Sequence, residues 1–140
     1  MRRVALLLAL CLIAAVPAAC GESDSPAEQR EASDREQIEA VAERFAAAVA
    51  ARDARAFCAT LAPNDVERLG KGESDGSQRC LVVWGEGRNP LFEAKDPDLS
   101  IEEITELRGT TATATLANGG ELAFLEEGGA WHVHLAPAKE

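Results

Sequence analysis

The order of apolar and polar positions divides the chain into stretches of different period. Residues 4–16 are thirteen consecutive positions without a polar side chain, behind a short basic start at Arg2 and Arg3. Residues 21–32 (GESDSPAEQREA) then hold no large apolar side chain. Such a segment buries too little to offset its own ordering, so it is expected to be a flexible tether with a root-mean-square span of about 20 Å. At Ser33 the spacing changes to intervals of three and four. Ile38, Val41, Ala42, Phe45 and Val49 make one stripe, with Glu36, Glu39, Glu43 and Arg44 opposite. That spacing predicts an amphipathic helix over 34–52, about 28 Å long, opened by Ser33 and Glu36 as a capping box.

Shorter elements follow. Asp53 is a suitable N-cap for a helix over 54–61 that sets Phe57, Cys58 and Leu61 on one side. Pro63-Asn64-Asp65 starts a brief helical turn that ends by Gly70, and residues 71–77 are a polar loop. Residues 78–84 form another short apolar element, expected to be helical, and 85–97 are expected to loop with Leu91 and Phe92 tucked inward. Beyond Leu99 the period shifts towards two. Residues 101–108 are read as a strand, although Ser100 and Glu103 also have capping-box spacing. TTATATL at 110–116 alternates, Asn118-Gly119-Gly120 signals a hairpin, and Leu122 and Phe124 share a face of 121–125. Gly128-Gly129 turns again before Trp131, Val133 and Leu135 alternate with His132 and His134. The expectation is an α+β domain over 33–140, with helices first and a four-stranded antiparallel meander after them.

The amino terminus has the layout of an export signal over 1–19: basic start, short apolar core, small residues at the exit. Thirteen helical residues rise about 20 Å, short of the roughly 30 Å needed to span a bilayer core. Ala18-Ala19-Cys20-Gly21 resembles the lipobox of bacterial lipoproteins, with Pro17 where that motif usually carries leucine. The resemblance implies a diacylglyceryl group on Cys20, cleavage just before it, and a mature protein held on the outer face of the cell membrane (in the periplasm where there are two membranes). The alternative is ordinary cleavage near Ala18 or Ala19, which releases a soluble exported protein.

Cysteine parity fits export. Cys11 leaves with the signal and lipid consumes Cys20, so Cys58 and Cys80 remain as an even pair in an oxidising compartment. A Cys58–Cys80 disulfide is expected, with two buried free thiols as the alternative. Charge narrows the partners further. The 140-residue chain carries a net charge of −10, and loss of Arg2 and Arg3 leaves 12 basic against 24 acidic residues. So acidic a domain repels phosphate backbones, which excludes nucleic acid as a partner class.

The order of a long helix, short helices and a four-stranded sheet resembles the cone-shaped NTF2-like fold, in particular small exported domains of actinobacterial type. The residues that carry the resemblance are Ala51-Arg52-Asp53-Ala54, Phe57-Cys58-Ala59-Thr60-Leu61 with Pro63, Cys80, and the hairpin Gly128-Gly129-Ala130-Trp131-His132-Val133. It implies a curved sheet packed on the first helix. Phe45, Val49, Phe57, Trp84, Leu122, Phe124, Trp131 and Val133 are then expected to line or fill the space between them. The family includes isomerases, cyclases and dehydratases as well as domains that only bind, so fold alone does not decide the activity.

Candidate chemistry is sparse. His132 and His134 share one strand face and have the spacing of a chelating pair, but no third ligand accompanies them and the opposite face is the apolar one. Neither metal nor cofactor is expected, and the histidines are expected on the outer face. The chain has no tyrosine, which removes the phenol of an isomerase-type oxyanion site. Glu103 faces inward if 101, 103, 105 and 107 share a register, and Asp53 is explained by capping. The expected function is a membrane-anchored, non-catalytic module that binds a small apolar ligand or an envelope protein. The alternative is an isomerase- or hydrolase-like enzyme using Glu103, Asp53 or a histidine.

Overall fold

The computed structural model describes residues 25–69, 75–85, 90–95 and 97–135. The export signal, Cys20, the first part of the expected tether and parts of the 71–77 and 85–97 segments lie outside the described residues. Helices come first, α1 (Pro26–Ala51), α2 (Ala54–Thr60), α3 (Pro63–Leu69), α4 (Gly76–Gly85) and the single turn α5 (Pro90–Glu93). Strands β1 (Ile101–Arg108), β2 (Thr111–Leu116), β3 (Glu121–Glu127) and β4 (Ala130–His134) follow. Among the described residues no helix is long and apolar enough to cross a membrane.

α1 begins at Pro26, not near Asp34, so the expected tether is helical from that residue on. The cap is a second S-x-x-E box one turn and more upstream. Ser25 N–H donates to Glu28 Oε2 at 2.6 Å, and Glu28 N–H donates to Ser25 Oγ at 3.3 Å, with Pro26 at the first helical position. Ser33 sits inside the helix, where its Oγ accepts from Gln37 Nε2 at 3.3 Å. The physical reason is cooperativity. Residues 26–32 bury little, but a helix already nucleated by the apolar stripe extends at small cost through Ala, Glu, Gln and Arg until a cap stops it. Glu31–Arg35 at 2.9 Å and Arg30–Asp34 at 3.8 Å add i,i+4 ion pairs along this turn. The buried face is Ile38, Val41, Ala42, Phe45, Ala48 and Val49, the expected stripe with one alanine added. Arg52 ends the helix in the left-handed region at φ 55°, and Asp53 N–H returns to Ala48 O at 2.9 Å. Asp53 Oδ1 accepts from Ala56 N–H at 2.9 Å, so Asp53 caps α2.

The sheet is a plain antiparallel meander in the order β1-β2-β3-β4. Gly128 and Gly129, at φ 63° and 82°, supply the two left-handed positions of the tight turn between β3 and β4. β1 departs from period two. Ile104 is its buried residue, Ile101 and Leu107 are half-buried, and Glu103 and Thr105 are exposed. Register shifts between Ile101 and Glu103 and between Ile104 and Glu106 each turn the strand by one residue. The condition under which Glu103 would face inward is therefore not met: two bulges convert the alternation into a repeat of three. At the opposite edge Leu61 bridges Val133 in parallel, and Ala62 N–H donates to Val133 O at 2.8 Å, so the α2–α3 junction covers β4.

Phe57 is the centre of the interior. Its ring lies 5.2 Å from that of Phe45, 5.7 Å from Trp84 and 5.6 Å from Phe92. The expected disulfide is present: Cys58 on α2 and Cys80 on α4 are bonded, with Cα atoms 6.1 Å apart. The 85–97 segment, expected to be a plain loop, contains the turn α5, which buries Phe92.

Candidate functional site

Of the two outcomes expected for the eight residues, lining or filling the space between sheet and α1, they fill it. Phe45, Val49, Phe57, Phe124, Trp131 and Val133 are buried in one cluster, and Trp84 and Leu122 pack half-buried against it. Of the eight, only Val49 lines any described cavity, a secondary one of about 510 Å³ beside Lys95 and Arg52. The space between α1 and the centre of the sheet is a packed core.

The open space lies to one side. α1 packs most extensively on β4 and α2 and meets β1 along a shorter line. The gap beside β1 is a groove of about 790 Å³ between α1 and residues 97–104. Its α1 wall is built from Ala42, Ala46, Ala47 and Ala50, whose methyl groups leave the helix surface bare. Leu99, Ile101 and Ile104 face them from the other wall. Glu39 and Glu43 rise on the helix side, and Asp98, Glu102 and Glu103 on the strand side, all exposed. The strand wall is fixed at its start. Asp98 Oδ1 accepts from Ser100 Oγ at 2.5 Å and from Ser100 N–H at 3.2 Å, while Ser100 O accepts from Ala117 N–H at 2.9 Å. The Ser100 hydroxyl, and after it the backbone N–H, hold the Asp98 carboxyl below its ordinary value of 3.8. Glu103, an expected candidate base, is thus an exposed rim residue.

A second constellation joins α3 to the end of β4. Asp65 is 3% exposed, and its Oδ2 contacts His134 Nδ1 at 2.9 Å and accepts from Leu135 N–H at 2.8 Å. Its Oδ1 is ion-paired with Arg68, which also donates to Leu135 O at 3.3 Å. Asn64 clasps Glu127 of β3 through its backbone N–H at 3.2 Å and through Nδ2 at 2.5 Å. A buried carboxylate needs such partners, and here they tie a seven-residue helix to the last strand. An Asp–His contact is also the orienting half of a catalytic dyad. Among the described residues, however, no hydroxyl or thiol is hydrogen-bonded to His134. Asp65 does not line the groove.

His132 and His134 are half-buried on the sheet face away from Trp131 and Val133, opposite Leu125 and Ala123. Among the described residues no group of three or more His, Cys, Asp or Glu is placed to hold a metal ion. Sequence reasoning missed both the groove and the Asp65 clip. The clip's partners are 69 and 70 residues apart, and nothing local marks Asp65 beyond its place behind Pro63. The groove has a local signal, the run of alanines at 46–48 and 50–51 where a core-facing helix usually carries bulk.

Compared with protein-family models, curated proteins and solved structures, the chain matches none of them.

Proposed function

We propose that this chain is a non-catalytic binding module of NTF2-like architecture, anchored through a lipidated Cys20 at the outer face of the cell membrane. Its binding site is the groove between α1 and residues 97–104, and its ligand is a small molecule with an apolar body. The observation that carries the reading is the groove itself. About 790 Å³ is within the size range of small-molecule sites, and the accessible apolar lining is Ala46, Ala47, Ala50 and Ile101, above the buried Leu99 and Ile104. Catalysis is disfavoured by the placement of the carboxylates. Those at the groove are exposed to water, and the buried Asp65 is engaged by three partners away from the groove.

The anchor is supported by the apolar run 4–16 and by Ala18-Ala19-Cys20-Gly21. Two or three acyl chains, at roughly 0.8 kcal/mol per buried methylene, hold a domain of this size at a membrane.

Expression of the full chain in a bacterial host tests both halves. Mass spectrometry of the mature protein is expected to find Cys20 as its first residue, carrying a diacylglyceryl mass. Cys20→Ser is expected to move the protein from the membrane fraction to the soluble one. Native mass spectrometry is expected to find a co-purified small molecule that Ala46→Trp, which fills the groove, displaces. An unprocessed Met1 sinks the anchor, and a ligand retained by a folded Ala46→Trp protein sinks the groove.

A further inference from the structure

We infer that the groove selects an organic cation with an apolar body, a single positively charged head on a hydrocarbon chain or ring. This deepens the binding reading above and rests on it.

The charges around the groove are predominantly negative on both walls. Glu39 and Glu43 stand on α1, facing Glu102 and Glu103 on β1 with Asp98 at its entrance. Some carboxylates elsewhere on this surface are ion-paired, Glu31 with Arg35, Asp34 and Glu126 with Arg30, Glu106 with Arg108, while others such as Glu36, Glu67 and Glu121 stand singly. Glu39, Glu43, Glu102 and Glu103 have no ion pair among the described residues. Among the described residues Arg35 is the one cation lining the groove, and its guanidinium is turned to Glu31 at 2.9 Å.

Two consequences follow. A cleft of one sign with low-dielectric walls concentrates its field in the opening, which raises the local concentration of counter-charge. An anion or a neutral amphiphile gains nothing from that field, whereas a cation gains it while its body covers the accessible methyl groups of Ala46, Ala47 and Ala50 and the half-buried side chain of Ile101. The exposed rim keeps the head solvated, so no desolvation penalty of a buried ion pair is incurred. Asp98, fixed by its hydrogen bonds to Ser100, adds a further carboxylate at the entrance.

The test uses the mature protein and three probes with the same eight-carbon body: octyltrimethylammonium, 1-octanol and octanoate. Binding is followed by methyl chemical shifts of Ala46 and Ile101 and by titration calorimetry. The cation is expected to bind about tenfold tighter than the alcohol, with octanoate weakest and the cation's advantage shrinking at high salt. Glu43→Gln with Glu103→Gln is expected to remove most of that advantage and leave 1-octanol unaffected. Equal affinity for cation and alcohol overturns the inference and leaves the binding module standing. Groove methyls that respond to no probe overturn both.

Discussion

The indole Nε1 of Trp131 donates a 3.1 Å hydrogen bond to Oδ1 of Asp34, joining β4 to the first turns of α1. Trp131 is buried, and Asp34 lies on the stretch of helix that precedes the apolar stripe. Arg30 completes the contact, with Asp34 at 3.8 Å on one side and Glu126 of β3 at 3.6 Å on the other. This cluster holds the amino-terminal end of α1 to the sheet where no large apolar side chain does so.

Loss of that bond is therefore expected to cost stability without disturbing the core. Trp131→Phe keeps an aromatic ring against the interior and removes the donor, an expected loss of about 1–2 kcal/mol from the hydrogen bond and part of the ring. Asp34→Ala strands the buried indole N–H and is expected to cost about 1–3 kcal/mol. Urea unfolding measures both. The double variant is expected to lose less than the sum, because the two changes remove one shared bond. Full additivity refutes the coupling.

The clip at Asp65 sets a sharper expectation. Asp65→Ala removes the partner of His134, of the Leu135 amide and of Arg68 together, and is expected to cost about 3 kcal/mol or more. Asp65→Asn separates charge from shape. One side-chain oxygen is retained, but an NH2 group then faces donors, so it recovers only part of the loss. If Asp65→Asn matches the native protein in urea, the carboxylate is not what holds α3 to β4.

The Cys58–Cys80 bond joins two short helices through cysteines 22 residues apart in sequence. Closing a loop of that size constrains the unfolded chain by roughly 3 kcal/mol in the chain-entropy model. Reduction, or replacement of both cysteines by serine, is expected to lower the unfolding free energy by about that amount. α4 loosens first, because Trp84 rests on Phe57 beside the disulfide. Trp84 fluorescence in a Trp131→Phe background reports this. A red shift preceding global unfolding is expected, and one coincident transition in the reduced protein contradicts it.

The elements themselves were legible because their causes are local. The stripe Ile38, Val41, Ala42, Phe45 and Val49 is buried as its spacing requires, and the β3–β4 turn follows from adjacent glycines. What escaped depends on long-range geometry or on competition between equal local signals. Ser33-x-x-Glu36 and Ser25-x-x-Glu28 are both capping boxes, and the choice between them depends partly on Arg30 reaching Glu126 across the fold. The two bulges in β1 decide that Ile104 faces inward and Glu103 outward, and they arise from pairing with β2. The space between sheet and α1 was expected to be lined or filled; three aromatic rings packed around Phe57 help to close it, and the open space lies on the β1 side.

The cap that was chosen has its own signature in acid. The backbone N–H of Ser25, and after it the Ser25 hydroxyl, hold the Glu28 carboxyl below its ordinary value of 4.5. A carboxylate whose folded value is depressed contributes stability that is complete above its unfolded value and disappears as the pH falls through the folded one. The first turn of α1 is therefore expected to stay helical from neutral pH down to about 4.5 and to fray below it. Backbone carbon chemical shifts of residues 26–30 follow the change. Glu28→Gln keeps an oxygen that accepts from Ser25 N–H but does not titrate, so its first turn is expected to lose this pH dependence. If the glutamine variant frays over the same acid range, the transition does not belong to the capping box.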